Sequence, residues 1–282
     1  MLIRDMMNRR AVATTLTLFS LFVFVVSVFS QALSKAKLGS TLTITDNGNW
    51  RAIQKGVQFR KIVLERSEPS YTVELKLLRF DSRLILPKIL SAEQFQLKAA
   101  SAKTFTEKSG ALAAINANYF DENIRPLAYL KTAVKEINRT VSKHGLYTGI
   151  FGLRESVPFV IHRDDFQPLE VNEALQSGPL LLRKGAPVEI MNGLGRHARR
   201  SVIGVDKEGR MIVAVTDTVI GGLSFSELQE LFSNSKSQVE TPDLLNLDGG
   251  GSTQLYAKTG KFEEWLPGTS EVPVAIAFFN KP

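Results

Sequence analysis

The chain has 282 residues, 44% of them apolar, and it contains no cysteine. That length and apolar share suffice for a full buried core and argue against disorder, while the absence of cysteine excludes a disulfide framework, a thiolate nucleophile and any Cys-ligated metal. A net charge of +7 raises nucleic acid as a partner. The basic residues are scattered among acidic ones, however, and no zinc-finger, RRM or basic-zipper pattern is present. No nucleic acid is therefore expected, and the excess charge suits anionic substrates or surfaces. His144, His162 and His197 form no H-x-x-x-H pair, so no metal-ligating set is assigned.

Arg4, Arg9 and Arg10 precede Ala11 to Ser30, twenty residues without a charge. The positive flank, apolar centre and small-residue exit near Ser30-Gln31-Ala32 match an export leader over residues 1–32, either a cleaved signal peptide or an uncleaved membrane anchor through residues 11–30. Export would place the remainder in the periplasm or on the outer face of the cytoplasmic membrane. Without residues 1–32 the chain keeps 32 basic and 27 acidic side chains, net +5. Residues 33–49 are polar and read as a spacer, leaving a single domain over 50–282.

Within that domain Tyr71 to Leu77 alternates with period two and predicts a half-buried strand facing inward through Tyr71, Val73, Leu75 and Leu77. Ser91 caps a helix lined by Phe95, Ala99, Ala102 and Phe105 and stopped by Gly110. Ala111 to Ile115 reads as a strand buried on both faces, ending in Asn116-Ala117-Asn118-Tyr119-Phe120-Asp121. Amides and carboxylates just beyond a buried strand are where sheets place ligand contacts, although Asx turns use the same residues. Strands around Gly149 to Leu153 and Pro158 to His162 follow. A Ser177-Gly178-Pro179 break then interrupts the apolar run Ala174 to Leu182, which predicts an edge, a bulge or a bend.

Arg196-His197-Ala198-Arg199-Arg200 enters a hairpin, Ser201 to Val205 and Met211 to Val215, turned by Asp206-Lys207-Glu208-Gly209 and leaving through Thr216-Asp217. The basic cluster is either a solvated face or an oxyanion clamp. Ser224 and Glu227 form a capping box for a helix facing inward through Leu228, Leu231 and Phe232, which makes Glu227 structural. Leu244 to Leu255 is an apolar run ended by Asp248, three glycines, Ser252-Thr253 and a second apolar run. Gly249, Gly250 and Gly251 there require either a tight turn or close approach to the main chain. Gly249 to Thr253 lacks the lysine of a nucleotide P-loop. Pro273 to Phe279 closes the chain as a strand.

Five of these segments stand in the order of one family: Ala113 to Asp121, Ser177-Gly178-Pro179, Arg200 to Gly204, Gly222-Leu223-Ser224 with its helix, and Asn246 to Ser252. From about Leu112 to Phe279 the chain resembles the phosphodiester glycosidase family. It departs from many relatives at Asn116-Ala117-Asn118, where they carry Asn-Gly-Gly, at Arg199 in place of Pro and at Thr218 in place of Gly. These differences bear on the sugar and leaving group rather than the fold. The resemblance implies an α+β fold, a single catalytic domain on a mixed β-sheet with flanking helices, that hydrolyses a sugar-1-phosphodiester in a glycan or cell-envelope polymer.

Such cleavage passes through an oxocarbenium-like state, which calls for a carboxylate near the anomeric carbon and a cation near the departing phosphate. On that chemistry Asp248 and Asp217 are expected to flank the sugar carbon and Arg200 to hold the phosphate. The amides of Gly249, Gly250 and Gly251, with Ser252, would share its charge. Asn116, Asn118 and Asp121 would hold sugar hydroxyls or orient the first contacts, with Ser177 and Gly178 in the same pocket. The chemistry requires no cofactor; carboxylates beside a glycine-rich turn also suit Ca2+ or Mg2+, which remains an alternative. A further alternative is a non-catalytic module that binds phosphoglycan from a membrane tether.

Overall fold

A computed structural model describes residues 36–38, 41–191 and 193–282; the expected export leader lies outside the described residues. Alternating burial along the strands sorts apolar side chains onto the two faces of three sheets. β1 (Ala36–Leu38), β2 (Leu42–Asp46), β3 (Arg51–Gln54), β4 (Val57–Ser67) and β5 (Ser70–Phe80) make one end of a large sheet. β6 (Ile85–Ser91) leaves for a second sheet, which continues after helix α1 (Ala102–Ser109) with β7 (Ala113–Asn116). β8 (Leu130–Lys131), β9 (Glu136–Asn138), β10 (Gly149–Arg154), β11 (Val157–His162) and β12 (Glu173–Ser177) build a third sheet. β13 (Leu180–Arg183), β14 (Ala186–Pro187), β15 (Ser201–Val205), β16 (Met211–Asp217) and, after helix α2 (Phe225–Ser233), β17 (Asp243–Asn246) return to the large sheet. β18 (Leu255–Thr259), β19 (Phe262–Leu266) and β20 (Val274–Asn280) complete the second, where β20 lies between β7 and β6.

The main core lies where the three sheets face one another and includes Phe80, Ile115, Phe151, Leu175, Leu180, Ile203, Leu245, Leu255 and Phe278. α2 covers the outer face of the large sheet with Leu228, Leu231 and Phe232. α1 covers the second sheet with Phe105. Ser224 and Glu227 form the expected capping box, and Glu227 also accepts a hydrogen bond from the Arg66 guanidinium. Burial opposes the charge on Glu227, but its backbone and Arg66 hydrogen bonds prevail and hold its pKa below the usual value.

Three expectations change. Every strand pair among the described residues is antiparallel, so the sheets are not mixed, and helices cover them sparsely. The helix expected from Ser91 to Gly110 is two pieces. Ser91 caps a single 3-10 turn, Ala92–Phe95, that ends at Gln96 in the left-handed region (φ 61°), and Ser101 caps α1 afresh. Between them Ala100 bonds in both directions with Val272, which holds that residue extended against the second sheet. Finally, the expected spacer over 33–49 contributes β2, whose Leu42 and Ile44 are buried in the outer core under α2. Among the described residues no helix is long and apolar enough to cross a membrane.

Leu245 stands at the centre of the three-sheet core and is fully buried. Leu245→Ala should lower unfolding free energy by about 2–5 kcal/mol, read from urea denaturation, because rigid strands on all sides cannot close the cavity.

Candidate active site

The chain changes sheet four times, first through residues 81–84 from β5 in the large sheet to β6 in the second, and then through three of the motif segments. Asn116 to Tyr129 runs from β7 in the second sheet to β8 in the third; Ser177-Gly178-Pro179 runs from β12 in the third to β13 in the large sheet; Asn246 to Gln254 runs from β17 back to β18 in the second. A chain leaving a sheet loses its ladder partners, so its buried polar groups need others. The crossovers supply them to each other. Asp248 donates its N–H to the Ala117 carbonyl (2.9 Å), and Asn246 donates its N–H to the Pro179 carbonyl (3.1 Å) and its Nδ2 to the Gly178 carbonyl (2.8 Å). The Tyr119 hydroxyl donates to the same Gly178 carbonyl (2.9 Å).

Asn116 is the knot. Its Nδ2 donates to the Asp248 carbonyl (2.7 Å), and its Oδ1 accepts from the Ser201 hydroxyl (2.7 Å) and the Gln254 N–H (3.2 Å). Gly178 is demanded by space, since a Cβ there would stand 1.9 Å from the Leu146 carbonyl oxygen. Of the edge, bulge or bend expected at the Ser-Gly-Pro break, the structure has the bend, where the chain passes between sheets.

Asp248 is the carboxylate at this junction. Burial raises its pKa, against the Ser252 hydroxyl and the Gly249 N–H (2.8 Å), whose hydrogen bonds favour the ionised form. Arg200 lies alongside, its Cδ 4.0 Å from where a Cβ of Gly249 would be. Its Nε donates to the Leu223 carbonyl (2.9 Å) and its Nη2 to the Arg196 carbonyl (2.5 Å), and its guanidinium stacks 3.9 Å from the Phe225 ring centroid. Burial lowers its pKa to about 10, so it stays charged at neutral pH. Nη1 has no hydrogen-bond partner among the described residues. The guanidinium is therefore fixed by neutral carbonyls and paired with no carboxylate among the described residues.

Tyr119 sits within reach of both charges. Burial raises its phenol pKa, the Asp248 carboxylate adds to the rise, and Arg200 opposes it. The Tyr147 ring lies 5.5 Å from that of Tyr119, and its phenol is raised by burial and then by Asp248. Asn118 Oδ1, Ser177 Oγ and Asn246 Oδ1 are buried without a hydrogen-bond partner among the described residues. Buried polar atoms are nearly always paired, and here each of the three motif crossovers presents at least one that is not.

The structure does not bring every expected residue to this place. Asp217 pairs with Lys76 Nζ (2.8 Å), which also pairs with Glu264 (2.8 Å). Burial works against the Lys76 charge, but these two carboxylates prevail and raise its pKa. Alternation explains the separation: Asp217 shares the face of Val215 and Val213, turned to the three-sheet core, whereas Arg200, aligned with Thr216, lies on the α2 face. Asp121 closes its own turn, accepting at Oδ1 from the N–H groups of Asn123 and Arg125. Gly249 spends its amide on Asp248 and Gly250 on the Arg199 carbonyl, so these two amides are committed within the protein. Asn118 donates Nδ2 to the Leu127 carbonyl (3.0 Å). Gly251 holds the neighbouring loop instead, its carbonyl accepting from Thr269 and Ser270.

Tyr119, Ser201 and Asn246 were inside quoted motifs but were not singled out as site residues, and neither were Tyr147 and Gln254 outside them. A roomy cleft of about 690 Å³ between the β3 and β19 strands, lined by Arg51, Gln54, Lys261 and Glu263, contains none of these residues. None of its lining side chains has a buried polar atom left without a partner, so the polar junction rather than cleft volume marks the site. Among the described residues no group of three or more His, Asp or Glu side chains is placed to hold a metal ion.

A model of the phosphodiester glycosidase family matches residues 109–279. The chain belongs to that family, which supports a glycosidase hydrolase acting on phosphodiesters. No curated protein sequence matches it. Among solved structures it is similar to the zebrafish N-acetylglucosamine-1-phosphodiester alpha-N-acetylglucosaminidase catalytic domain auto-inhibited by pro-peptide, with TM-score 0.63 and 15% identity over 86% of this chain and 89% of that one. A hypothetical protein from Synechocystis gives TM-score 0.64 and 14% identity over 85% and 65%. A putative exported protein from Burkholderia pseudomallei gives 0.50 and 10% over 78% and 74%. At such identities the structural likenesses speak to the fold.

Two stability measurements test this geometry. Asn116→Ala leaves a buried carbonyl, hydroxyl and N–H unpaired and should lower unfolding free energy by about 2–4 kcal/mol in urea. Asp248 has a folded pKa above its unfolded one, so the folded state binds the proton more readily and stability falls as pH rises from the unfolded value through the folded one. Asp248→Asn removes that penalty. Its melting temperature should exceed that of the unsubstituted protein at pH 7, with the gap closing as pH drops below the ordinary carboxylate range.

Proposed function

We propose that the chain is an exported hydrolase that cleaves the bond between an anomeric carbon and a phosphodiester oxygen in a glycan or cell-envelope polymer. The observation that carries this reading is the convergence of one half-buried carboxylate, Asp248, and one guanidinium without a carboxylate partner among the described residues, Arg200, beside Gly249. A Tyr119 phenol that senses both charges supports it. Export rests on the uncharged run from Ala11 to Ser30 behind three arginines.

In this reaction the C1–O bond breaks and its electron pair leaves on the phosphate oxygen. The phosphate monoester so released departs as a weakly basic anion, so no strong general acid is required. Asp248 faces the positive charge developing at C1, and Arg200 Nη1 faces the negative charge developing on phosphate. Water adds to C1 and its proton passes to solvent. Asn118 Oδ1, Ser177 Oγ and Asn246 Oδ1, buried and without a partner among the described residues, form the polar lining behind the site. Asp217, paired with Lys76, has no part in this scheme and acts as a sheet clamp.

Incubation with p-nitrophenyl-type sugar-1-phosphodiesters tests the proposal. Released sugar supports it; tight binding without release points instead to a binding module. Asp248→Asn should lower kcat by about 10²–10⁴-fold while remaining folded, and Arg200→Lys should lower kcat/KM because the ammonium lacks the planar fork. A folded Asp248→Asn variant with undiminished turnover removes the assignment. A parallel assay with a strong chelator distinguishes dependence on a divalent cation.

A further inference from the structure

We propose that Tyr147 determines specificity at this site by receiving a pyranosyl group, its ring against the C–H face of the sugar and its phenol on a sugar hydroxyl. The inference rests on the hydrolase reading above. Tyr147 belongs to no strand and no helix, yet its backbone is held as firmly as a strand's. Its N–H donates to the His144 carbonyl (3.1 Å), and its own carbonyl accepts from Gln176 Nε2 (2.7 Å) and Arg163 Nη1 (3.2 Å). Gln176 is fully buried in β12, one residue before the second crossover. On either side, the Leu146 carbonyl seals against Gly178, and Thr148 Oγ1 accepts the Leu180 N–H (2.8 Å). The whole turn is thus seated on the crossover that Tyr119 and Asn246 grip from the other side.

What this anchoring presents is a partly buried ring whose hydroxyl has no hydrogen-bond partner among the described residues. Tyr119 differs, because its hydroxyl is already engaged by Gly178 and Asn246 and cannot serve a ligand without losing them. His144 lies 5.3 Å beyond Tyr147 and is exposed, so the aromatic row leads from Asp248 out to solvent. A group with both an apolar face and hydroxyls matches a tyrosine offered in this manner. A rigid backbone also limits the entropy lost when the ring meets its ligand.

The full chain and two variants test the proposal, with kcat and KM measured on a sugar-1-phosphodiester, affinity for the corresponding sugar 1-phosphate by calorimetry, and urea midpoints. Tyr147→Phe should raise KM about 3–10-fold by losing one hydrogen bond. Tyr147→Ala should raise it about 30–100-fold by losing the ring as well, with kcat within about 3-fold of the unsubstituted protein. Urea midpoints close to that protein's exclude a merely structural role. A Tyr147→Ala variant whose KM stays within about 2-fold, or whose kcat rather than KM falls, overturns the inference while leaving the hydrolase reading intact. Where the unsubstituted protein releases no sugar, the hydrolase reading fails and affinity decides. Weaker binding of the sugar phosphate by Tyr147→Ala sustains the inference; equal binding, or none by the unsubstituted protein, overturns it.

Discussion

The amide of Asn116 is the interaction on which the rest depends. Three antiparallel sheets share one core, and the chain passes from each to the next through a segment stripped of ladder partners. A buried side chain with one donor and one acceptor end joins the Asp248 carbonyl, the Ser201 hydroxyl and the Gln254 N–H. It thereby fixes the second and large sheets relative to each other at the point where the acid emerges. An aspartate would keep the acceptor but lose the donor and add a buried charge, a costly exchange in so dry a place.

That constraint explains the electrostatics. Among crossovers satisfied by carbonyls and amides, burial is the largest influence on the titration of Asp248, and it acts likewise on Arg200. Arg200 is held by carbonyl oxygens and an aromatic face rather than by an acid. Its charge therefore meets no carboxylate among the described residues and is left for an anionic group. Lys76, by contrast, is enclosed by Asp217 and Glu264, and its field is spent within the sheet.

The family and most strands were legible because crossovers impose unusual residues. Gly178 is needed where a backbone oxygen intrudes, Asn116 where both a donor and an acceptor are wanted, and Asp248 with its glycines where a strand stops short. Asp217 was misplaced because a carboxylate at a strand's end looks alike on either face. Its parity with Val213 and Val215 was readable, but the pairing of β16 with β5 that delivers Lys76 was not. Antiparallel order was concealed for a similar reason: β7 and β13 are buried on both faces and read like parallel strands. Tyr147 left no trace, since a lone aromatic in a polar turn has no period, and only the buried Gln176 beneath it shows why the turn is rigid.

The final strand, β20, enters between β6 and β7, pairs with both, and receives the Ala117 N–H on its Val274 carbonyl (3.2 Å). A ribosome must therefore release nearly the whole polypeptide before the crossover from β7 to β8 has its footing. Shortened products would expose two sticky ladder edges at once, a hazard that favours holding the nascent chain loose until translation ends.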